Sequence, residues 1–192
     1  MKNPLDLTAK DVAPAFPGAP RKNIETHLPV VLNALADAQL TSARLVAYAL
    51  GTIAAETAAF APVTEGISRF NTAQQPFDLY EGREDLGNAH PGDGAKFPGR
   101  GFVQLTGRDN YRRYGERIGV DLVAHPERAQ EPVVAAQLLA LFIADRAEAI
   151  EKALKAADFA RARRLVNGGR HGLERFTTAY NVIFGVLRRA GA

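Results

Sequence analysis

The sequence predicts a mainly α-helical fold with long loops and at most a small β-hairpin. Three observations predict it. Apolar residues recur at helical spacing in several segments. No run alternates apolar and polar residues for long enough to build a sizeable sheet. Glycine and proline fall between the periodic segments and follow no repeat. The 192 residues suit one ordinary domain, assigned here to residues 23–192 after an irregular lead-in over residues 1–22.

The elements follow in order. The lead-in ends in the proline and glycine cluster PAFPGAP, residues 14–20. Ile24, Leu28, Val31, Leu32 and Leu35 then fall on one face of a helix, and Pro29 inside that pattern is expected to kink it or to mark its first turn. Thr41 is the expected N-cap of a second helix that runs to about Phe60. Residues 61–100 are rich in glycine and proline and show no sustained period, so they are read as a long loop region. A short helix is expected from Gly107 to about Gly119. Pro132, a good first helical residue, opens a very apolar helix expected to reach about Lys155. Its segment VVAAQLLALFIA (133–144) is apolar almost all round, the mark of a central buried helix. A short basic helix over about Asp158–Val166 is stopped by NGG (167–169). Phe176, Tyr180, Ile183, Phe184 and Leu187 define the last amphipathic helix.

Composition removes several classes of function. Hydrophobic residues make up 46% and charged residues 23%, which argues against disorder. With no cysteine, disulfide scaffolds, thiolate metal sites and cysteine nucleophiles are excluded. His27, His90, His125 and His171 are scattered without metal-ligand spacing, so no metal and no cofactor are expected. The net charge of +3 permits an anionic polymer partner without demanding one. The basic runs RARR (161–164) and Arg188-Arg189 read as solvated helix faces, not as a nucleic-acid surface. No stretch approaches a membrane span, and Met1–Asp11 lacks the apolar core of a signal peptide. The expectation is a monomer made in the cytoplasm without a signal peptide and without membrane insertion.

Two carboxylates stand out. Leu45, Ala49, Ile53, Glu56 and Phe60 lie along one helical stripe, because eleven residues at about 100° bring Glu56 back to within about 20° of Leu45. A carboxyl group on the apolar face near a helix C-terminus suits a general acid, since both surroundings favour the neutral form. The alternative is an edge position paired with an arginine such as Arg44 or Arg100. Glu65 follows nine residues later in a loop. Alone it reads as a solvated carboxylate. As a partner to Glu56 it allows acid and base roles to be divided across a cleft. The third feature is GAKFPGRGFVQLTGRDNY (94–111). It lacks the Gly-Lys-Ser/Thr of a phosphate loop. Its glycines allow tight turns and close approach of a ligand to backbone, and Gln104, Thr106 and Asn110 offer groups suited to sugar hydroxyls, N-acetyl groups or a held water. The alternative is a turn region that bonds to its own backbone.

The segments AAETAAF (54–60), YEGREDLGN (80–88), GDGAKFPGRGFVQLTGRDNY (92–111) and VNGG (166–169) together resemble the family 19 glycoside hydrolases, and their bacterial and phage endolysin branch more than the plant chitinases. The resemblance covers roughly residues 20–185. It implies a lysozyme-like, two-lobed helical fold with a sugar cleft, and an inverting mechanism. By this resemblance Glu56 matches the general acid and Glu65 the base that activates water. Thr106 matches a hydroxyl residue that helps hold that water. Gln104, Asn110 and Asn167 match sugar-contacting positions, and Arg175 matches an arginine that supports the acid. The chain departs from the family at three places. Ala55 stands where a histidine often precedes the acid, Ser68-Arg69-Phe70 replaces an Asn-Tyr-Ser-like run, and His171 stands where plant members place a glutamate.

The implied activity is hydrolysis of β-1,4 bonds in an N-acetylated amino-sugar polymer. Bacterial peptidoglycan is the first expectation and chitin the second, with action on the wall after phage-type lysis or toxin-type delivery. Two competitors are a lytic transglycosylase, for which Glu65 would be superfluous, and a wall-binding module that has lost turnover.

Overall fold

The computed structural model describes residues 3–66, 78–169 and 171–189. In chain order the helices are α1 (Ala9–Val12), α2 (Arg21–Asp37), α3 (Ala43–Glu56), α4 (Asp93–Lys96), α5 (Arg108–Ile118), α6 (Pro132–Ala144), α7 (Ala147–Lys155), α8 (Phe159–Asn167) and α9 (Leu173–Arg189). The strands β1 (Val63–Thr64) and β2 (Arg100–Gly101) form one antiparallel pair, with Val63 opposite Gly101 and Thr64 opposite Arg100. The mainly helical architecture with a small hairpin is as expected. The chain divides into two compact units, one of residues 1–61 and 139–192, the other of residues 62–138.

The first unit is built around α3. Ser42, one residue beyond the expected Thr41, caps it: the Leu45 amide donates to Ser42 Oγ at 3.2 Å, while Ser42 Oγ donates to Glu151 Oε1 at 2.6 Å. Every residue from Leu45 to Ala55 is buried, so α3 packs on all sides, not along one stripe. Its main partner is α9, where the Phe176 ring meets Tyr48 edge-on at 5.3 Å. The helix ends at Glu56, four residues before the expected Phe60, because Thr57 turns out of helical geometry and closes the last turn with its amide on the Ile53 carbonyl at 2.8 Å. α2 continues through Pro29 as one helix. Pro29 is exposed, on the face where a carbonyl deprived of its amide is open to water. The expected lead-in contains helical turns, α1 among them, and buries Val12 and Phe16 completely or nearly so. Phe16 packs edge-on against Phe60 at 4.6 Å.

The single apolar helix expected from Pro132 is two helices, α6 and α7. The break at Asp145-Arg146 has a local cause. Arg146 Nη1 donates to the Phe142 carbonyl at 3.0 Å and its guanidinium lies 4.0 Å from the Phe142 ring centroid, so the side chain caps the end of α6.

In the second unit the core is aromatic: Phe97, Phe102, Tyr111 and Tyr114 are all fully buried. The loop region around it is tied down by polar side chains. Buried Asn88 donates to the Tyr80 carbonyl at 2.9 Å and accepts from the Arg108 amide at 2.8 Å. Glu81 accepts from the Gly92 and Gly94 amides at 2.7 and 2.8 Å. Burial of Asp93 opposes its charge, but the His90 amide and Arg108 guanidinium outweigh burial and hold its carboxyl below the usual carboxylate range. The YEGREDLGN and GDG segments thus serve as the scaffold of this unit.

Candidate active-site carboxylates

Glu56, at the C-terminus of α3, has a side chain only 13% exposed. Its partner is neither Arg44, which lies over the Phe184 ring at 5.6 Å, nor Arg100, which donates to the Lys96 carbonyl and the Tyr111 hydroxyl. It is Arg163 of α8, with 0% side-chain exposure and Nη2 2.5 Å from Glu56 Oε1. Arg163 Nε donates to the His171 carbonyl at 3.1 Å, and Asn167 Nδ2 donates to the same carbonyl at 3.3 Å. Tyr48, on α3 two turns before Glu56, donates to the Ala162 carbonyl at 2.8 Å and so secures α8 beside Arg163. Burial pushes the Tyr48 phenol far above its ordinary range, so it stays a donor.

The solvated-face reading of RARR holds for Arg161 and Arg164, both exposed, and fails for Arg163. The arginine that pairs with Glu56 is thus Arg163. Arg175 stands exposed on α9, where it lines a pocket of about 560 Å³ with Ala55, His171, Gly172 and Glu174. A Cβ at Gly172 would come within 3.1 Å of the Ala55 Cβ. A side chain at Gly172 would therefore crowd Ala55.

Glu65 follows β1 directly, and its backbone amide donates to the Gly99 carbonyl at 2.7 Å. The carboxylate accepts from the Tyr80 hydroxyl at 3.1 Å on Oε1 and 3.0 Å on Oε2, and Oε2 accepts from the Gly99 amide at 3.2 Å. Burial first, then the Glu65 charge, push the Tyr80 phenol up to about 12. Gln104, in a left-handed conformation at φ +53, donates to the Val63 carbonyl at 3.1 Å and the Gly101 carbonyl at 3.0 Å. Thr106 Oγ1 donates to the Gln104 carbonyl at 3.0 Å, and Asn110 Nδ2 to the Thr106 carbonyl at 2.8 Å. All three groups expected to meet a ligand also bond to their own turn.

The glycines of this turn answer to the protein itself. A Cβ at Gly101, where φ is +80, would lie 2.7 Å from the Ala129 carbonyl oxygen. One at Gly99 would lie 2.8 Å from Gln104 Oε1 and 3.2 Å from Glu65 Oε2.

The structure thus forms two clusters: Glu56 and Asn167 around Arg163 in the first unit, and Glu65, Gln104, Thr106 and Asn110 in the second. Ser68, Arg69 and Phe70 lie outside the described residues. Among the described residues no three His, Asp or Glu side chains gather as a metal site. Two residues of the clusters escaped the sequence reading. Arg163 carried a usable signal, since Phe159, Ala162, Arg163 and Val166 share the i, i+3, i+4, i+7 stripe of α8. Tyr80 had only its place at the head of the YEGREDLGN segment.

No family model matches the chain. A glycosyl hydrolase family 19 domain-containing protein of Haemophilus influenzae is 41% identical to it over 44 residues, which are 23% of this chain and 22% of that protein. The chain therefore spans about a fifth of the length of the curated relative it matches. Among solved structures, chitinase C from Streptomyces griseus superposes with a TM-score of 0.62 and 20% identity over 93% of this chain and 76% of that one. The fold is that of a family 19 chitinase. A second bacterial family 19 chitinase, described as differing from the plant enzymes, gives a TM-score of 0.60 at 19% identity over 94% of each chain. The family 19 fold expected from the motifs is therefore present along nearly the whole chain, and both carboxylates sit in it with dedicated hydrogen-bond donors.

Proposed function

We propose that this chain is an inverting glycoside hydrolase that cleaves β-1,4 bonds of an N-acetylated amino-sugar polymer, and that bacterial peptidoglycan is its substrate in preference to chitin. The observation that carries the reading is the pair of carboxylates, each held by its own donors on a family 19 fold: Glu56 by Arg163, and Glu65 by Tyr80 and Gly99. In the proposed reaction Glu56, in its protonated form, gives its proton to the glycosidic oxygen as the bond to the anomeric carbon breaks, and is left as the carboxylate that pairs with Arg163. A water gives one proton to Glu65 and bonds through the other to Thr106 Oγ1, and its oxygen attacks the anomeric carbon from the opposite face. The hydrogen bond of Thr106 supports this role, because its own proton is committed to the Gln104 carbonyl and its lone pairs are left to accept.

Peptidoglycan is favoured over chitin by the endolysin-like segments and by the pocket near Ala55. The Arg175 guanidinium lines that pocket beside His171 and Glu174. Such a lining suits the carboxylates that muropeptides carry and chitin lacks.

The test is direct. Purified peptidoglycan and chitin hexamer are digested in parallel, soluble fragments are weighed by mass spectrometry, and the first product is read by NMR. The expected result is muropeptide release with the α-anomer appearing first. A β-anomer points to retention and an anhydro-sugar to a transglycosylase, and either result overturns the inverting mechanism. Preferential cleavage of chitin would overturn the substrate assignment.

Thr106→Val keeps the side-chain shape and removes the hydroxyl. It is expected to lower kcat about tenfold or more while KM stays within about twofold. A rise in KM with unchanged kcat would place Thr106 in sugar binding and not at the water.

A further inference from the structure

The proposed reaction leaves Tyr80 without a part, yet its hydroxyl meets both carboxylate oxygens of Glu65. The hydroxyl is almost equidistant from the two carboxylate oxygens, at 3.1 and 3.0 Å. A donor equidistant from both oxygens resists rotation of the group as well as its displacement. The Gly99 amide on Oε2 adds a second constraint from another direction. A glutamate in a loop otherwise has several rotamers to sample, and selecting one has an entropic cost.

Tyr80 is itself anchored from behind. Its carbonyl accepts from Asn88 Nδ2 at 2.9 Å, Asn88 is wholly buried, and Asn88 Oδ1 accepts from the first amide of α5. The next residue, Glu81, grips the start of α4 through the Gly92 and Gly94 amides. The phenol stays protonated across the neutral range and therefore always donates.

We infer that Tyr80 is a positioning residue for Glu65: its hydroxyl fixes the plane and rotamer of the carboxylate that receives the proton of the attacking water. This inference rests on Glu65 being the base.

The test uses Tyr80→Phe, Glu65→Gln and the double variant, assayed on whichever of soluble peptidoglycan strands or chitin hexamer the parent cleaves. Tyr80→Phe is expected to lower kcat about tenfold with KM within about twofold. In the Glu65→Gln background, where residual turnover remains measurable, the same change is expected to add almost nothing, because the two residues act as one unit. Incorporation of 3-fluorotyrosine at position 80 keeps ring and hydroxyl, and is expected to hold kcat within about twofold of the parent.

A parental kcat for Tyr80→Phe, a loss confined to KM, or an undiminished further loss in the Glu65→Gln background overturns the inference. An inactive Glu65→Gln beside an unimpaired Tyr80→Phe overturns the positioning role alone and leaves the base in place. Parental turnover by Glu65→Gln removes the base assignment and this inference with it.

Discussion

Glu56→Gln is expected to fold and to lose about 10²–10⁴-fold in turnover, with KM changed far less. The amide is nearly isosteric with the carboxyl group, and its oxygen can still accept from Arg163 Nη2, so the local geometry is retained. What it cannot do is release a proton to a leaving oxygen. Some stability is lost as well, on the order of 1–2 kcal/mol, because the buried guanidinium keeps an acceptor and loses its counter-charge. Circular dichroism and a thermal melt verify the fold, and release of soluble fragments measures the rate. Turnover above a tenth of the parent's would remove Glu56 from the role of acid.

The second large effect belongs to Arg163→Met. Methionine approximates the length of the arginine stem and suits a fully buried position, but it supplies no donor to Glu56 Oε1 or to the His171 carbonyl. Breaking a buried ion pair by removing one partner costs about 3–5 kcal/mol when the other is left wholly dry. Glu56 keeps 13% exposure and recovers part of that from water, so the expected loss is about 2–3 kcal/mol. For a chain of this size that lowers Tm by roughly 4–12 °C. Turnover is expected to fall about 10²-fold, because the carboxyl group no longer has a fixed direction. Arg164→Met, on the exposed side of the same helix, is the control and is expected to stay within about 0.5 kcal/mol of the parent. Equal melting temperatures for the two variants would mean that the pair contributes nothing.

Much of the architecture was legible in the sequence, and the places where it was not share a cause. α5 and α9 lie close to their expected spans because periodicity and glycine stops are local signals. The ends of α3 and α6 were misjudged where a side chain or cap decided the matter. Thr57 closes one helix, and Arg146 caps the other from four residues away. The helical turns of the lead-in were hidden by its prolines, although Val12 and Phe16 belong to the core.

At the site, pattern reasoning located Glu56 on a helix, but motif resemblance was needed to raise Glu65 above an ordinary loop carboxylate. Neither method named their donors. Arg163 is 107 residues from Glu56 along the chain. Tyr80 is 15 residues from Glu65 across a stretch without periodicity. Pairings of that kind are set by tertiary packing, which a single sequence does not display.

The division of the chain into a unit made of both its ends and a unit inserted between them has a consequence for biosynthesis. α3 leaves the ribosome as one of the most apolar segments of the chain, with eleven consecutive residues destined for burial. Its principal partner, α9, emerges about 120 residues later. At roughly 5–20 residues per second the nascent chain carries that helix without its cover for about 6–25 s. Residues 62–138 are complete well before then and can condense in the interval. The inserted unit is therefore free to close before α3 gains its cover. An early stop ahead of α9 leaves α3 as a sticky tail on an otherwise folded fragment, a substrate for chaperones and proteases and not for the work of the mature protein.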